Sequence, residues 1–375
     1  MSSLPSTPTL STASGILERF HPAVRVWFER RFHDGPTEAQ AGGWPAIVAG
    51  RHTLVCAPTG SGKTLAGFLA AIDVLYRAHE AGEPIEGATQ VVYLSPLKAL
   101  AVDVHTNLEQ PLAEIAEVAR ELGFEPAPIT VAVRTGDSTS SQRQTMIRRP
   151  PNLLVTTPES LYLYLTAERS RETLATVETV IVDEIHALAR DKRGSHLALS
   201  LERLQAVTRR PPVRIGLSAT VRPIETAARL LVGAGEPFPA VVDSGHRRRL
   251  DLSLELPDGE LEAAISGDHW SEIVDRIAAH VAGHRTTLVF VNTRKLSERV
   301  AHQLGERLGQ DQVAAHHGSL SRERRQRVEH RLRAGDLRAL VATASLELGI
   351  DVGPVELVCQ IGSPHSIATF LQRVG

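Results

Sequence analysis

Two short runs in this sequence hold residue types that can act on a chain of phosphates. The first follows the β-branched run HTLVCA (52–57) and reads Ala57-Pro58-Thr59-Gly60-Ser61-Gly62-Lys63-Thr64, then passes into the apolar helical pattern LAGFLAAIDVL. Strand, glycine-rich loop and helix in that order make a P-loop. Its glycines let backbone N–H groups close on phosphate oxygens with no Cβ in the way, and the helix start adds a partial positive charge. Thr59, Gly60, Ser61 and Gly62 would form the cradle, Lys63 would reach the β- and γ-phosphates, and the Thr64 hydroxyl would ligate Mg²⁺. Ala57 stands where the general pattern has its first glycine. The second run, Val180-Ile181-Val182-Asp183-Glu184-Ile185-His186, is an apolar strand ending in two carboxylates. In a parallel sheet the carboxyl ends of strands line the ligand crevice, which brings these acids to the phosphate loop. Asp183 can hold Mg²⁺ directly or through water, and Glu184 is then placed to polarise the water that attacks the γ-phosphate. His186 by itself reads as an ordinary histidine at a helix start.

The elements that must position these groups alternate along the chain. Runs rich in β-branched residues stand at 52–57, 90–95, 129–133, 152–157, 179–184 and 213–219, with a second series at 286–291, 312–317, 339–344 and 356–362. Amphipathic segments of helical length follow most of them, as over Pro96–Leu122, Glu159–Glu168 and Leu320–Ala334. Strands alternating with helices predict parallel sheets covered on both faces, an α/β fold. A Gly/Pro-rich, poorly periodic stretch separates the two series. The expected organisation is a disordered tail over 1–19, a first domain over 20–235, linker and edge structure over 236–270, and a second domain over 271–375.

Composition narrows the function classes. The 375 residues are 42% hydrophobic and 22% charged, the balance of a soluble globular protein. With 41 basic against 43 acidic residues the net charge is −2, so no whole-chain basic field announces a nucleic-acid partner. The bases are arginine except for Lys63, Lys98, Lys192 and Lys295, and arginine suits forked contacts to phosphate and carboxylate. Two cysteines cannot build a disulfide scaffold or a CxxC metal knuckle. No apolar run approaches the ~18 residues a membrane helix needs, so a cytoplasmic protein without a membrane partner is expected.

The order of the remaining motifs resembles the superfamily 2 nucleic-acid helicases of the DExH type, with Asp183-Glu184-Ile185-His186 as the box. Gly35-Pro36-Thr37-Glu38-Ala39-Gln40 resembles the Q motif, whose glutamine recognises adenine. Ser95-Pro96-Leu97-Lys98-Ala99-Leu100 and Arg134-Thr135-Gly136-Asp137 resemble strand-binding motifs Ia and Ib, and Thr156-Thr157-Pro158-Glu159-Ser160-Leu161 matches the next one. Ser218-Ala219-Thr220 is similar to the SAT motif that links hydrolysis to strand movement. Val289-Phe290-Val291-Asn292-Thr293-Arg294 resembles motif IV, and Ala342 to Asp351 resembles motif V. The segments SPLKALAVDV, TTPESLYLYL, KRGSHLALSLERL and RIGLSATVRP are most similar to the large helicase-related (Lhr) branch of bacteria.

That resemblance, which covers about residues 20–375, implies two tandem RecA-like domains, ATP and Mg²⁺ as cofactors, and a motor moving 3′ to 5′ on single-stranded DNA. RNA–DNA hybrids are further expected substrates. It assigns Gln40, Gly349, Ile350 and Asp351 to the nucleotide and His186 to the catalytic set with Lys63, Asp183 and Glu184. Ser218, Ala219 and Thr220 become coupling residues. Lys98, Arg134, Thr156, Thr157, Asn292, Arg294 and Ser345 become contacts to the strand. A motor that reads no sequence grips backbone, and phosphate contacts position without specifying. Thr156 and Thr157, set before a helix whose first turn holds Pro158 and Glu159, suit that task, though either threonine also fits a plain helix cap. An arginine-rich stretch over 322–338 fits a solvated, salt-bridged helix face as well as a groove for the strand. Motif VI of the family normally reads Gln-Arg-x-Gly-Arg-x-x-Arg, and Gln372-Arg373-Val374-Gly375 matches its first four residues. The arginine fingers would follow, and such a finger is worth ~10³–10⁵ in turnover. An incomplete second domain with slowed hydrolysis is therefore expected. An ATP-gated clamp without turnover and an RNA-directed helicase remain open alternatives.

Overall fold

A computed structural model describes residues 13–58, 60–96, 108–189, 192–219, 223–245, 251–258, 267–343, 355–364 and 367–374. Contacts divide the chain into two compact units, Met1–Arg247 and Arg248–Gly375. Within the first, β1 (Thr53–Cys56), β2 (Val91–Leu94), β3 (Val131–Arg134), β4 (Leu153–Thr156), β5 (Thr179–Val182), β6 (Val213–Ser218) and β7 (Ala240–Asp243) form one sheet in the order β3-β4-β2-β5-β6-β1-β7. All its pairings are parallel. Side chains alternate between two cores, as a sheet covered on both faces requires. Val91 and Tyr93 face one core with Trp44, Phe68 and Ile72, whereas Val92 and Leu94 face the other with Leu197, Leu201 and Leu231. The second unit holds β8 (Thr287–Phe290), β9 (Val313–His316), β10 (Ala339–Ala342) and β11 (Leu357–Gln360) in the order β11-β8-β10-β9, again all parallel.

Each β-branched run of the sequence coincides with a strand. The extra one is β7, which lies in the stretch expected to be linker and edge structure. It pairs with β1 as the exposed edge of the first sheet, half of its residues solvated, so it shows little apolar signal. Within the stretch expected to be a tail, Ala13–Leu17 is helical, and Ile16 and Leu17 are buried in the first unit's core. No helix among the described residues is long and apolar enough to cross a membrane.

Candidate nucleotide site and strand contacts

β1 and β5 both lie beside β6, with Cys56 opposite Ser218 and Val182 opposite Gly216. Their carboxyl ends therefore open at one place, about two strand spacings (~10 Å) across. The loop after β1 turns back through Gly60 (φ 80°) and Gly62 (φ 76°), left-handed positions that cost a residue with a Cβ. Helix Lys63–Glu80 starts there without a side-chain cap, so its first N–H groups stay available. Lys63 is buried, its Nζ 3.4 Å from the Pro58 carbonyl. Thr64 is half-buried in the same first turn.

Gln40 braces the loop from below. Thr37 and Gln40 form a capping box at the start of helix Glu38–Val48, the Gln40 amide donates to the Gly62 carbonyl at 3.3 Å, and Thr37 Oγ1 donates to the Ser61 carbonyl at 2.7 Å. A Cβ on Gly62 would lie 2.7 Å from Gln40 Nε2, so glycine is required for this contact as well as for its φ. Phe28 is fully buried against Phe32 and Trp44, which makes it core.

Asp183 and Glu184 are both buried at the end of β5. Burial and the neighbouring Glu184 charge push the Asp183 carboxyl up to about 6. Burial likewise raises Glu184. The Lys63 ammonium opposes both shifts, so its charge reaches both carboxylates. Asp183 is oriented through both oxygens: Tyr93 Oη donates to Oδ2, and the Glu184 N–H donates to Oδ1 at 2.8 Å. Tyr93 is itself stacked on Phe68 of the phosphate-loop helix. Nothing beyond its inward position on β2 marks this tyrosine in the sequence. His186 is buried, and its Nδ1 accepts from the Ala219 N–H at 3.1 Å. A nitrogen accepting there has no proton to give Glu184 Oε2, 3.3 Å away, so that pair becomes ionic only in the imidazolium. The box is thus bonded directly to the SAT segment, whose Ser218 ends β6 with a buried hydroxyl.

These residues fit a triphosphate with its divalent cation. The Ser61 hydroxyl is buried without a partner, the space where a Gly60 side chain would stand is open, and a buried pair of acids faces the lysine-bearing loop. No trio of His, Cys, Asp or Glu among the described residues forms a metal site alone, as suits Mg²⁺, which takes one or two protein carboxylates and fills its shell with phosphate oxygens and water.

The expected strand contacts differ in character. Thr156 is buried and donates to the Arg134 carbonyl at 2.7 Å, while Thr157 caps helix Pro158–Thr166 by accepting from Ser160 N at 3.3 Å. Arg134 is buried too, its guanidinium 5.3 Å over the Tyr164 ring. In the second unit Asn292 and Arg294 are exposed beyond β8, donating to the Ser363 carbonyl (2.9 Å) and to Ser319 Oγ (2.5 Å). Thr59, Lys98, Thr220, Ser345, Gly349, Ile350 and Asp351 lie outside the described residues. The arginine-rich helix Arg322–Arg333 is largely solvated, with Glu329 paired to Arg333 and His316.

Known proteins resemble this chain over nearly its whole length. The DEAD/DEAH box helicase model matches residues 37–228, and the helicase conserved C-terminal domain model matches 269–375. The chain belongs to the DEAD/DEAH box helicase family, built as tandem RecA-like domains. Within it, the chain is 47% identical over 392 residues to the Lhr helicase/probable uracil glycosylase of Mycolicibacterium smegmatis, covering 96% of this chain and 26% of that protein. It is 45% identical over 371 residues to the ATP-dependent helicase Lhr-Core of Methanothermobacter thermautotrophicus, covering 97% of this chain and 43% of that one. The solved structure of Mycobacterium smegmatis helicase Lhr bound to ssDNA and AMP-PNP superposes with a TM-score of 0.84 at 50% identity, over 96% of this chain and 46% of that one. The chain therefore spans between a quarter and a half of the length of these relatives.

Proposed function

We propose that this chain is the motor core of an ATP-dependent helicase, hydrolysing ATP when it holds single-stranded DNA and stepping 3′ to 5′ to part DNA or RNA–DNA duplexes. One observation carries the reading: Lys63, Asp183 and Glu184 share a buried electrostatic cluster whose neighbour His186 is bonded to the SAT backbone. Backbone N–H groups of residues 59–64 and the Lys63 ammonium bind the phosphates, and Gln40 recognises adenine while steadying the loop. Asp183 and Thr64 would hold Mg²⁺, which when bound supplies charge neutralisation between the β- and γ-phosphates. Glu184, raised by burial, is the base that orients water toward the γ-phosphate and takes its proton. His186, by accepting from the Ala219 N–H, ties the box to the SAT segment. Support for DNA as the tracking strand is the similarity to Lhr captured on ssDNA. Asn292, Arg294, Ser345 and Lys98 contact phosphates, while Arg134, Thr156 and Thr157 shape the loops between. Gly349, Ile350 and Asp351 would take part in nucleotide binding, as the family resemblance implies.

The test is ATP hydrolysis with and without single-stranded DNA or RNA of equal length, alongside displacement of a strand from tailed duplexes. DNA-stimulated turnover with displacement from 3′-tailed substrates is expected. Binding without turnover would establish a clamp, and stimulation by RNA alone would establish an RNA-directed motor.

A further inference from the structure

The carboxyl ends of β2 and β4 in the first unit are tied together by a residue given no role above. Arg193, in the first turn of helix Lys192–Val207, donates from Nε to Glu159 Oε1 at 2.6 Å and from Nη2 to the Pro96 carbonyl at 3.0 Å. Pro96 is where the chain leaves β2 toward Lys98, and Glu159 sits in the first turn after Thr156 and Thr157. One guanidinium thus spans the ends of two neighbouring strands, β2 and β4. Its fork is what makes this possible, since a lysine ammonium has no planar pair of donors to divide between a carboxylate and a carbonyl. Although burial pushes the Glu159 carboxyl up, the bond from Arg193 and the Thr157 hydroxyl hold it below the usual glutamate range.

The next residue ties the brace to the hydrolytic side. A Cβ on Gly194 would lie 2.3 Å from the Leu188 carbonyl, so only glycine lets this helix close on Ile185–Leu188, the short helix that begins within the Asp183–His186 box. Arg193 is consequently anchored at one end to the box helix and at the other to both strand ends.

We infer that Arg193 is a positioning residue: it holds the carboxyl ends of β2 and β4, at Pro96 and at Glu159, in the register that grips a single strand, without touching the strand. This rests on the helicase reading above. It makes a prediction opposite in sign to simple electrostatics. Glu159 places negative charge where a polyanion is to bind, so its neutralisation ought to tighten binding if charge alone mattered. If the carboxylate serves as Arg193's partner, neutralising it loosens the strand ends and weakens binding.

The experiment measures affinity for a dye-labelled oligothymidylate by anisotropy across a salt series, together with the DNA concentration giving half-maximal ATPase and the KM for ATP. Variants are Arg193→Ala, Arg193→Lys, Glu159→Gln and the double change Arg193→Ala/Glu159→Gln. Arg193→Ala and Glu159→Gln are each expected to weaken DNA binding about three- to tenfold, with the double variant no worse than the poorer single. Arg193→Lys is expected to fall between wild type and Arg193→Ala, and the KM for ATP to move less than twofold. The salt slope stays at the wild-type value. Tighter binding by Glu159→Gln, additive losses, or a slope lowered by about one on removing Arg193 would overturn the inference, the last by showing direct phosphate contact. Wild-type protein that neither binds DNA nor is stimulated by it would instead overturn the helicase reading.

Discussion

The carboxyl ends of β5 and β8 both close interior strands of parallel sheets, and they treat charge in opposite ways. At β5, Asp183 and Glu184 are buried, raised by desolvation and held against one buried lysine. At β8, Asn292 and Arg294 stand in solvent and donate to a carbonyl and a serine hydroxyl. The first arrangement costs stability and is suited to one reaction on one kind of ligand, since buried charges are strengthened by the low dielectric and cannot be rearranged cheaply. The second costs little and is suited to a backbone met at any register, where contacts must form and break. A motor needs both, and this chain places each at a strand end.

The contrast can be broken in several places, beginning with the largest effect. Lys63→Ala removes the charge shared by both acids and the contact to phosphate, and ATP turnover is expected to fall by ~10³-fold or more. Persisting hydrolysis would mean the phosphate loop is misassigned. Glu184→Gln is expected to lower turnover by ~10²–10⁴-fold while nucleotide binding, read with a fluorescent ATP analogue, persists. If the two losses track each other, Glu184 is part of the binding site and not the base.

A subtler test concerns the cost of burial. A carboxyl that titrates at 3.8 when unfolded and at about 6 when folded binds more protons in the folded state between those values. Stability is therefore lost as pH rises through that window and stays lost above it. Asp183→Asn should melt several degrees above wild type at pH 8 without nucleotide, and at about the same temperature at pH 4. An equal gain at both would show that burial of the charge is not the cause. At the exposed end, Arg294→Ala should weaken DNA binding only a few-fold and lower the salt slope by about one. An unchanged slope would remove it from the phosphate contacts.

Much of this was legible in the sequence because the signals are local. The phosphate loop is written in glycines and a lysine between a strand and a helix, and the acid pair follows an unbroken apolar run. What stayed hidden depends on contacts distant in sequence. Tyr93 reads as one more aromatic of a buried strand until β2 is set beside β5 and its hydroxyl meets Asp183. β7 escaped because an edge strand with solvated alternate residues lacks the apolar run that marks the interior ones. Arg134 is charged and its motif suggests a strand contact, yet its burial over Tyr164 turns it inward. Charge is legible from residue type, but exposure is not.

Among the described residues with a side chain beyond hydrogen, only Glu184 adopts a left-handed backbone, at φ 47°. That conformation disfavours glutamate by ~1–2 kcal/mol and is easiest for glycine, with asparagine tolerated. Selection for heat tolerance alone would thus drift toward those two residues at this position and, in gaining robustness, discard the group proposed to activate water. Wherever the glutamate is retained in a thermally demanding setting, its retention marks a demand for turnover that outweighs the backbone's own preference.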